Sequence, residues 1–331
     1  MNTFCRSDAE HFTRKLLQEA KTLSLPIRPM SIDHLCYRTD TIATYNDTVR
    51  QLSQSANHDF RGTLLTVASV NNRPIATWKL EQPIVVDDQR IECLEIPAPK
   101  PGKDYAAGWE HCEALSFWDL ETLNSEFSSH GLHAHLTKKA LNAELAVKLK
   151  SGTIKFHYLP LSCVIACEEG KIFQAANAKC DLFALLSAYQ PLPSGGSLIG
   201  VSGKEADLDV LLNVKSPLTE AEQIAEICRA ATGLSCKVEL HAAENCANVV
   251  LQSAVGDVEF FLENRPIFQQ RSHRHLVNEW RLLVQHGQPL AESVRQLKAS
   301  GLNTEQAFCR AAKLDEQSPF QTLLSIPHAT V

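Results

Sequence analysis

Two stretches of this chain repeat one another, and an internal duplication restricts the fold more than any single motif can. Asp33-His34 opens one apolar strand, and Glu110-His111 opens another. Glu95 sits near the end of a later strand, LEIPAP, and His157 near the end of another, KFHYLP. Each half thus offers a His early and a ligand-type residue late, followed shortly by Pro. A helix over 8–23 comes first, with Phe12, Leu16, Leu17 and Ala20 at helical spacing. After it, strands are expected over 32–37, 64–70, 75–80, 89–96, 111–118 and 153–158, with helices over 45–55 and 120–130. This order predicts a pair of βαβββ modules that bring one ligand-type side chain from each of four strands together. The PAPKPG turn at 97–102 then reads as the link between the halves.

Strand alternation assigns the faces. Ile91, Cys93 and Glu95 share one side, opposite Glu92, Leu94 and Ile96. Thr153, Lys155 and His157 lie opposite Ile154 and Phe156, which belong in a core. His34, Glu95, His111 and His157 therefore make a candidate nitrogen/oxygen metal site, suited to Zn, Mn, Fe, Co or Ni. Cys36 and Cys112 lie near the two early His residues. Eleven cysteines without a C-x-x-C pattern read as reduced thiols, and Cys163 and Cys167 as small packing residues.

DHLCYR at 33–38, RPIATWKLEQPI at 73–84, IECLEIPAPKPG at 91–102, GWEHCEAL at 108–115 and TIKFHYLPL at 153–161 together resemble the YecM family. That family belongs to the vicinal-oxygen-chelate superfamily, with glyoxalase I and the extradiol dioxygenases. The resemblance implies paired βαβββ modules and a metal-type cleft. It puts His34, Glu95 and His111 on the first three ligand positions. The fourth is usually a carboxylate, where this chain offers His157 or Lys155.

Composition shifts around 165–190. A helix is expected over 171–189, and the Pro- and Gly-rich run at 191–196 is a breaker. A strand, a helix over 219–232 and strands over 237–241, 248–252 and 258–262 follow, then a helical tail over 272–324. These patterns divide the chain into domains at 1–170 and 171–331, in keeping with its 331 residues. The fold class is α+β, with the paired modules first and a mixed sheet with a helical tail second.

The second half carries its own chemistry. Alternation sets Asp207 and Asp209 on one face of a strand, and two adjacent carboxylates call for a cation or for water. A turn rich in Gly just upstream (Gly195, Gly196, Ser197) offers backbone N–H groups to a phosphate. Glu259 is a third acid on a later apolar strand. Such a set describes a two-metal phosphoryl-transfer site in which Mg²⁺ grips nucleotide phosphates. The segments at 189–214, 258–268 and 273–283 resemble an uncharacterised bacterial family of the polymerase-β-type nucleotidyltransferase superfamily. The resemblance implies Asp207, Asp209 and Glu259 as catalytic acids and an NTP as substrate. It departs at Gly196, where the family has Thr, and at Ala206, where it has Ser. Arg274 either meets a phosphate or pairs with an acid, and His275 and Glu279 share a helical face.

The leading expectation is Mg²⁺-dependent nucleotidyl transfer to a small-molecule, RNA or protein acceptor, fused to a metal- or ligand-binding domain. The alternatives are a non-catalytic metal- or ligand-binding sensor and a metalloenzyme using only the first site. With 32 basic against 38 acidic residues and no basic stripe, the chain shows no strong nucleic-acid-binding signal. No apolar run approaches a membrane span, and the first residues lack a secretory pattern, so a cytoplasmic location is expected.

Overall fold

The duplication foreseen above appears as two successive βαβββ modules that share one sheet. The computed structural model describes residues 4–23, 31–54, 59–139, 141–177, 181–202 and 207–326. The chain separates into two compact units, one running to Thr137 and over Glu144–Ser162, the other holding Lys138–Ala143 and the chain from Cys163 on.

In the first unit, helix α1 (Arg6–Thr22) precedes β1 (Ser31–Arg38), α2 (Ile42–Ser53), β2 (Gly62–Val70), β3 (Arg73–Val86) and β4 (Gln89–Pro97). The second module repeats the order with β5 (Gly108–Leu115), α3 (Leu120–Ser129), β6 (Ala134–Thr137), β7 (Glu144–Lys148) and β8 (Thr153–His157). The eight strands follow the order β2-β3-β4-β1-β5-β8-β7-β6. β1 runs parallel to β4 and β5 parallel to β8, while β1 and β5 meet antiparallel at the centre. The modules are thus joined through the two strands that carry the early His residues.

Local chemistry sets the helices. α1 buries Ala9, Phe12, Leu16 and Ala20, one stripe at helical spacing. The Thr41 side chain caps α2 by accepting from Thr44 N–H, and Asp119 caps α3 by accepting from Thr122 N–H. On one face of the sheet Leu35, Leu94, Cys112 and Ile154 lie in register, each almost fully buried. His34, Cys36, Glu95, His111 and Glu113, which alternate with them, therefore share the other face.

The division falls in α4 (Leu161–Glu169), most of which belongs to the second unit, and α5 (Lys171–Asn177) follows. The helix expected over 171–189 does not run through. Asp181 has non-helical torsions and caps a new helix, α6 (Leu182–Leu185), by accepting from Ala184 N–H. A carboxylate that satisfies the next turn's N–H favours a fresh start over continuation. Then come β9 (Leu192–Ser194), β10 (Leu208–Asn213), α7 (Pro217–Thr232), β11 (Cys236–His241), β12 (Cys246–Leu251) and β13 (Val258–Glu263). The sheet order is β11-β12-β13-β10-β9, with β10 parallel to β13.

The tail comprises α8 (Arg271–His286), α9 (Gln288–Ala299), α10 (Thr304–Ala311) and α11 (Pro319–Leu324). Leu282, Val294, Phe308 and Leu323 from these four helices close on one apolar cluster. Among the described residues no helix is long and apolar enough to cross a membrane.

A candidate metal centre and a second acidic site

Register places the first site. In the pairing of β1 with β4, His34 lies beside Cys93 and Cys36 beside Glu95. Across β5, His34 meets Glu113 and Cys36 meets His111. His34, Glu95, His111 and Glu113 come together at the centre of the sheet, with one ligand atom from each lying within 4.8 Å of the others. Three of the four expected residues meet here. The fourth is Glu113, from the same strand as His111, rather than His157 from β8.

Each nitrogen has a defined role. His34 Nδ1 is 2.8 Å from Asp33 Oδ2, which also accepts the backbone N–H of Leu161 at 2.8 Å. That contact assigns the proton to Nδ1 and turns Nε2 toward Glu113 Oε1 at 3.6 Å. His111 Nε2 lies 3.3 Å from the same oxygen and 3.9 Å from Glu95 Oε2. Neither Nε2 has a hydrogen-bond partner among the described residues, although both are buried.

The electrostatics favour positive charge in this space. Burial opposes a charge on His34, but Glu113 and Asp33 outweigh it and lift its pKa to about 10. His111 is raised well above the ordinary value, again against burial, by Cys36, Glu110 and Glu113. Burial works against ionisation of Glu113, yet His34, His111 and Lys155 hold its carboxyl well below the usual range. A hydrogen bond from His111, with Arg38 nearby, holds Glu110 at about 2. The carboxylates thus draw a cation into the space they share with the imidazoles, whether protons or an ion carry it.

The other expected residues surround this centre. His157 Nε2 lies 3.8 Å from Asp33 Oδ2 and 3.9 Å from Glu113 Oε2, and it groups with Asp33 and His34 instead of with Glu95 and His111. Its register partner on β5 is Leu115, two residues beyond Glu113, and it approaches Oε2 of that carboxylate, not the Oε1 that faces His34 and His111. Burial lowers its pKa. Lys155 donates to Glu113 Oε1 at 2.8 Å. Cys36 joins Glu110 and His111, whereas Cys112 points to the apolar face. Sequence reasoning missed Glu113 and Asp33. Glu113 stands two residues after His111, so strand alternation alone puts both on one face.

The acids of the second unit are arranged differently. Asp209 on β10 is the in-register neighbour of Glu259 on parallel β13, so the two carboxylates share a face. Asp207 does not stand on the strand, because β10 begins at Leu208. Its Oδ1 instead accepts the backbone N–H of Asp257 at 3.2 Å, and its side chain is exposed. The three acids do not form a ligand group of the kind found in the first unit. Glu259 Oε1 accepts from Asn248 Nδ2 at 2.8 Å.

The Gly turn packs directly on Asp209. Gly195 has φ +85°, and a Cβ there would come within 2.2 Å of Asp209 Oδ2. A Cβ on Gly196 would meet Ser202 Oγ at 2.9 Å and Lys298 Nζ at 3.1 Å. Ser197 Oγ is buried with no hydrogen-bond partner among the described residues. Residues 203–206 of this Gly-containing stretch lie outside the described residues. Burial, Glu259 and Asp207 push Asp209 up to about 7. Burial and Glu305 push Glu279 up to about 8.

Arg274 is tied to the tail, where its guanidinium donates to the Leu324 carbonyl at 3.4 Å. His275 beside it contacts Phe320 O at 3.0 Å and Glu305 Oε1 at 3.2 Å. These contacts fit the structural role of that motif, a helix pinned by polar pairs. Lys298, on α9, carries no local sequence signal, and the helical pairing of Glu279 with His275 on α8 does not reveal that Glu279 lies among the acids near Asp209.

Residues 2–168 match the family model described as YecM protein, and residues 176–326 match a domain of unknown function, DUF4269. Protein YecM of Escherichia coli (strain K12) is 30% identical over 182 residues, 49% of this chain and 92% of that protein. An uncharacterized protein of Haemophilus influenzae is 29% identical over 123 residues, 37% of this chain and 61% of its own length. Among solved structures, the structural-genomics Protein EC4020 shares 30% identity, covers 49% of this chain and 90% of its own, and gives a TM-score of 0.42.

Proposed function

The chain belongs to the YecM family, and from that premise we propose that its first unit is a mononuclear divalent-metal centre held by His34, Glu95, His111 and Glu113. One observation carries this reading. The Nε2 atoms of His34 and His111 are buried, make no hydrogen bond among the described residues, and converge on Glu95 and Glu113. A buried nitrogen without a partner is costly, and a bound ion removes that cost. Two imidazoles with two carboxylates also neutralise a divalent charge. The donor set is borderline to hard, suited to Zn, Mn, Fe, Co or Ni.

The protein's own groups prepare the site. Asp33 fixes the tautomer and orientation of His34 through Nδ1, which raises the basicity of Nε2. Glu113 stays ionised and offers Oε1 to both imidazoles. Lys155 and Arg38 place positive charge beside Glu113 and Glu110. An ion there supplies Lewis-acid polarisation of an oxygen ligand. Elemental analysis of the purified protein and of His111→Ala is the test. One equivalent of metal is expected in the parent and a small fraction in the variant, and equal content in both would remove the site.

For the second unit we keep nucleotidyl transfer as a separate reading, favoured by the close seat of Gly195 on Asp209 beside the in-register Glu259. Gly195, Gly196 and the unsatisfied Ser197 hydroxyl would hold a phosphate, and Asp207 and Asp209 would hold Mg²⁺. Glu259 would accept the acceptor's proton. Incubation with labelled NTPs and Mg²⁺ should label an acceptor in the parent and not in Asp209→Asn. No transfer across a broad nucleotide panel would count against it.

A further inference from the structure

Lys155 stands where the first site opens to solvent. Its ammonium donates to Glu113 Oε1 at 2.8 Å, the same oxygen that faces His111 Nε2 at 3.3 Å and His34 Nε2 at 3.6 Å. Glu144 Oε2 flanks it on the other side at 3.7 Å. The His34 side chain is 1% exposed, whereas Lys155 is 22% and Glu95 19% exposed, so the centre is closed behind His34 and reachable past Lys155 and Glu95. One carboxylate oxygen thus serves the ammonium now and the metal set in prospect. A divalent ion held by Glu113 would stand close to the ammonium that Glu113 now accepts, and like charges repel strongly in a partly buried site. Lys155 has a second acid, Glu144, to which it can turn.

Resting on the metal reading above, we propose that Lys155 is an exchangeable counter-cation that holds Glu113 in the metal-free protein, yields it when Glu113 becomes a ligand, and then anchors a small carboxylate at the open side of the centre. The ligand class follows from charge. Two carboxylates already balance a divalent ion, so an anionic ligand needs a further cation, and the displaced ammonium supplies it. A charge-assisted hydrogen bond from Lys155 then selects a carboxylate over a neutral oxygen ligand of the same shape.

The test uses the full chain and Mn²⁺, followed by electron paramagnetic resonance, with oxalate and neutral oxamide as probes. Lys155→Met should bind Mn²⁺ about tenfold tighter, because a like charge has been removed. Its Mn²⁺-loaded form should bind oxalate about tenfold more weakly, with oxamide unchanged. Lys155→Gln should move both affinities in the same directions, and Lys155→Arg should restore them. Equal or weaker Mn²⁺ binding by both neutral variants, or unchanged oxalate affinity, overturns the role of Lys155 and leaves the metal centre standing. Failure of the parent to take up Mn²⁺ overturns the metal reading itself and the proposal with it.

Discussion

Each unit buries a group of acidic side chains, and the two meet the cost of doing so in opposite ways. In the first, Glu113 and Glu110 lie against His34, His111, Lys155 and Arg38 and remain ionised, Glu110 down to about 2. In the second, Asp209 and Glu279 face other acids, with the Lys298 ammonium drawing both the other way, and rise to about 7 and about 8. Burial acts on all of them in the same direction, so the neighbours decide the sign. A mixed set of nitrogens and carboxylates, with two imidazole nitrogens that make no hydrogen bond among the described residues, draws positive charge in. A set of carboxyls crowding one another is built around protons, or around a cation that would release those protons.

The contrast breaks most visibly at Glu113. Glu113→Ala leaves His34, His111 and Lys155 gathered around a lost carboxylate, and removing one partner of a buried ionic group is expected to cost about 3 kcal/mol. Urea unfolding of the full chain, followed by tryptophan fluorescence in a Trp280→Phe background so that the signal comes from the first unit, checks it. A loss under about 1 kcal/mol would mean the carboxylate is not the hub described here. Asp33→Asn keeps the shape but weakens the hold on His34 Nδ1. Metal affinity should fall about tenfold to a hundredfold, measured by competition with a chelator.

Glu279 sharpens the other side of the comparison. Its carboxyl keeps a proton in the folded state up to about pH 8, whereas the usual carboxylate value is 4.5. Across that window the native state binds the extra proton, so its stabilising contribution is complete below pH 4.5 and is lost as the pH rises through about 8. Glu279→Gln should therefore stabilise the second unit by several kcal/mol, on the order of 5, at pH 9 and change little at pH 4. Equal effects at both pH values would show that Glu279 does not titrate as described. The smallest effect is expected at the half-exposed Arg38–Glu110 pair, where Arg38→Met should cost less than about 1 kcal/mol. A larger loss in the same unfolding assay would make this pair part of the charged core of the first unit.

The first site was legible in the sequence to the extent that it follows from alternation and duplication. His34, Glu95 and His111 each sit on a strand whose other face is apolar, and the repeated order of elements brings those strands together. For the fourth position the duplication suggests one ligand per strand, which favours His157. Glu113 on the strand of His111 instead completes the group of His34, Glu95 and His111, and His157 groups with Asp33 and His34. His157 stands opposite Leu115, two residues beyond Glu113. Asp33 reads from sequence as an acid before a His, and only its contacts with His34 and Leu161 reveal its role.

In the second unit, the strands of Asp209 and Glu259 were legible, but their helical surroundings were not. Lys298 and Glu279 approach through α9 and α8, and only the packing of four tail helices fixes where they land. The break in the helix expected over 171–189 lies in the capping geometry of Asp181, which apolar periodicity does not register. The three-residue β9 is too short to produce an alternation signal.

The central claim is that His34, Glu95, His111 and Glu113 hold one divalent ion. Equilibrium dialysis of the chelator-stripped full chain against Mn²⁺ tests it most directly, with the double variant His111→Ala/Glu113→Gln and with Asp209→Asn beside the parent. One tightly held ion is expected in the parent and in Asp209→Asn, and none in the double variant. An ion retained by the double variant, or lost with Asp209 instead, would contradict the account.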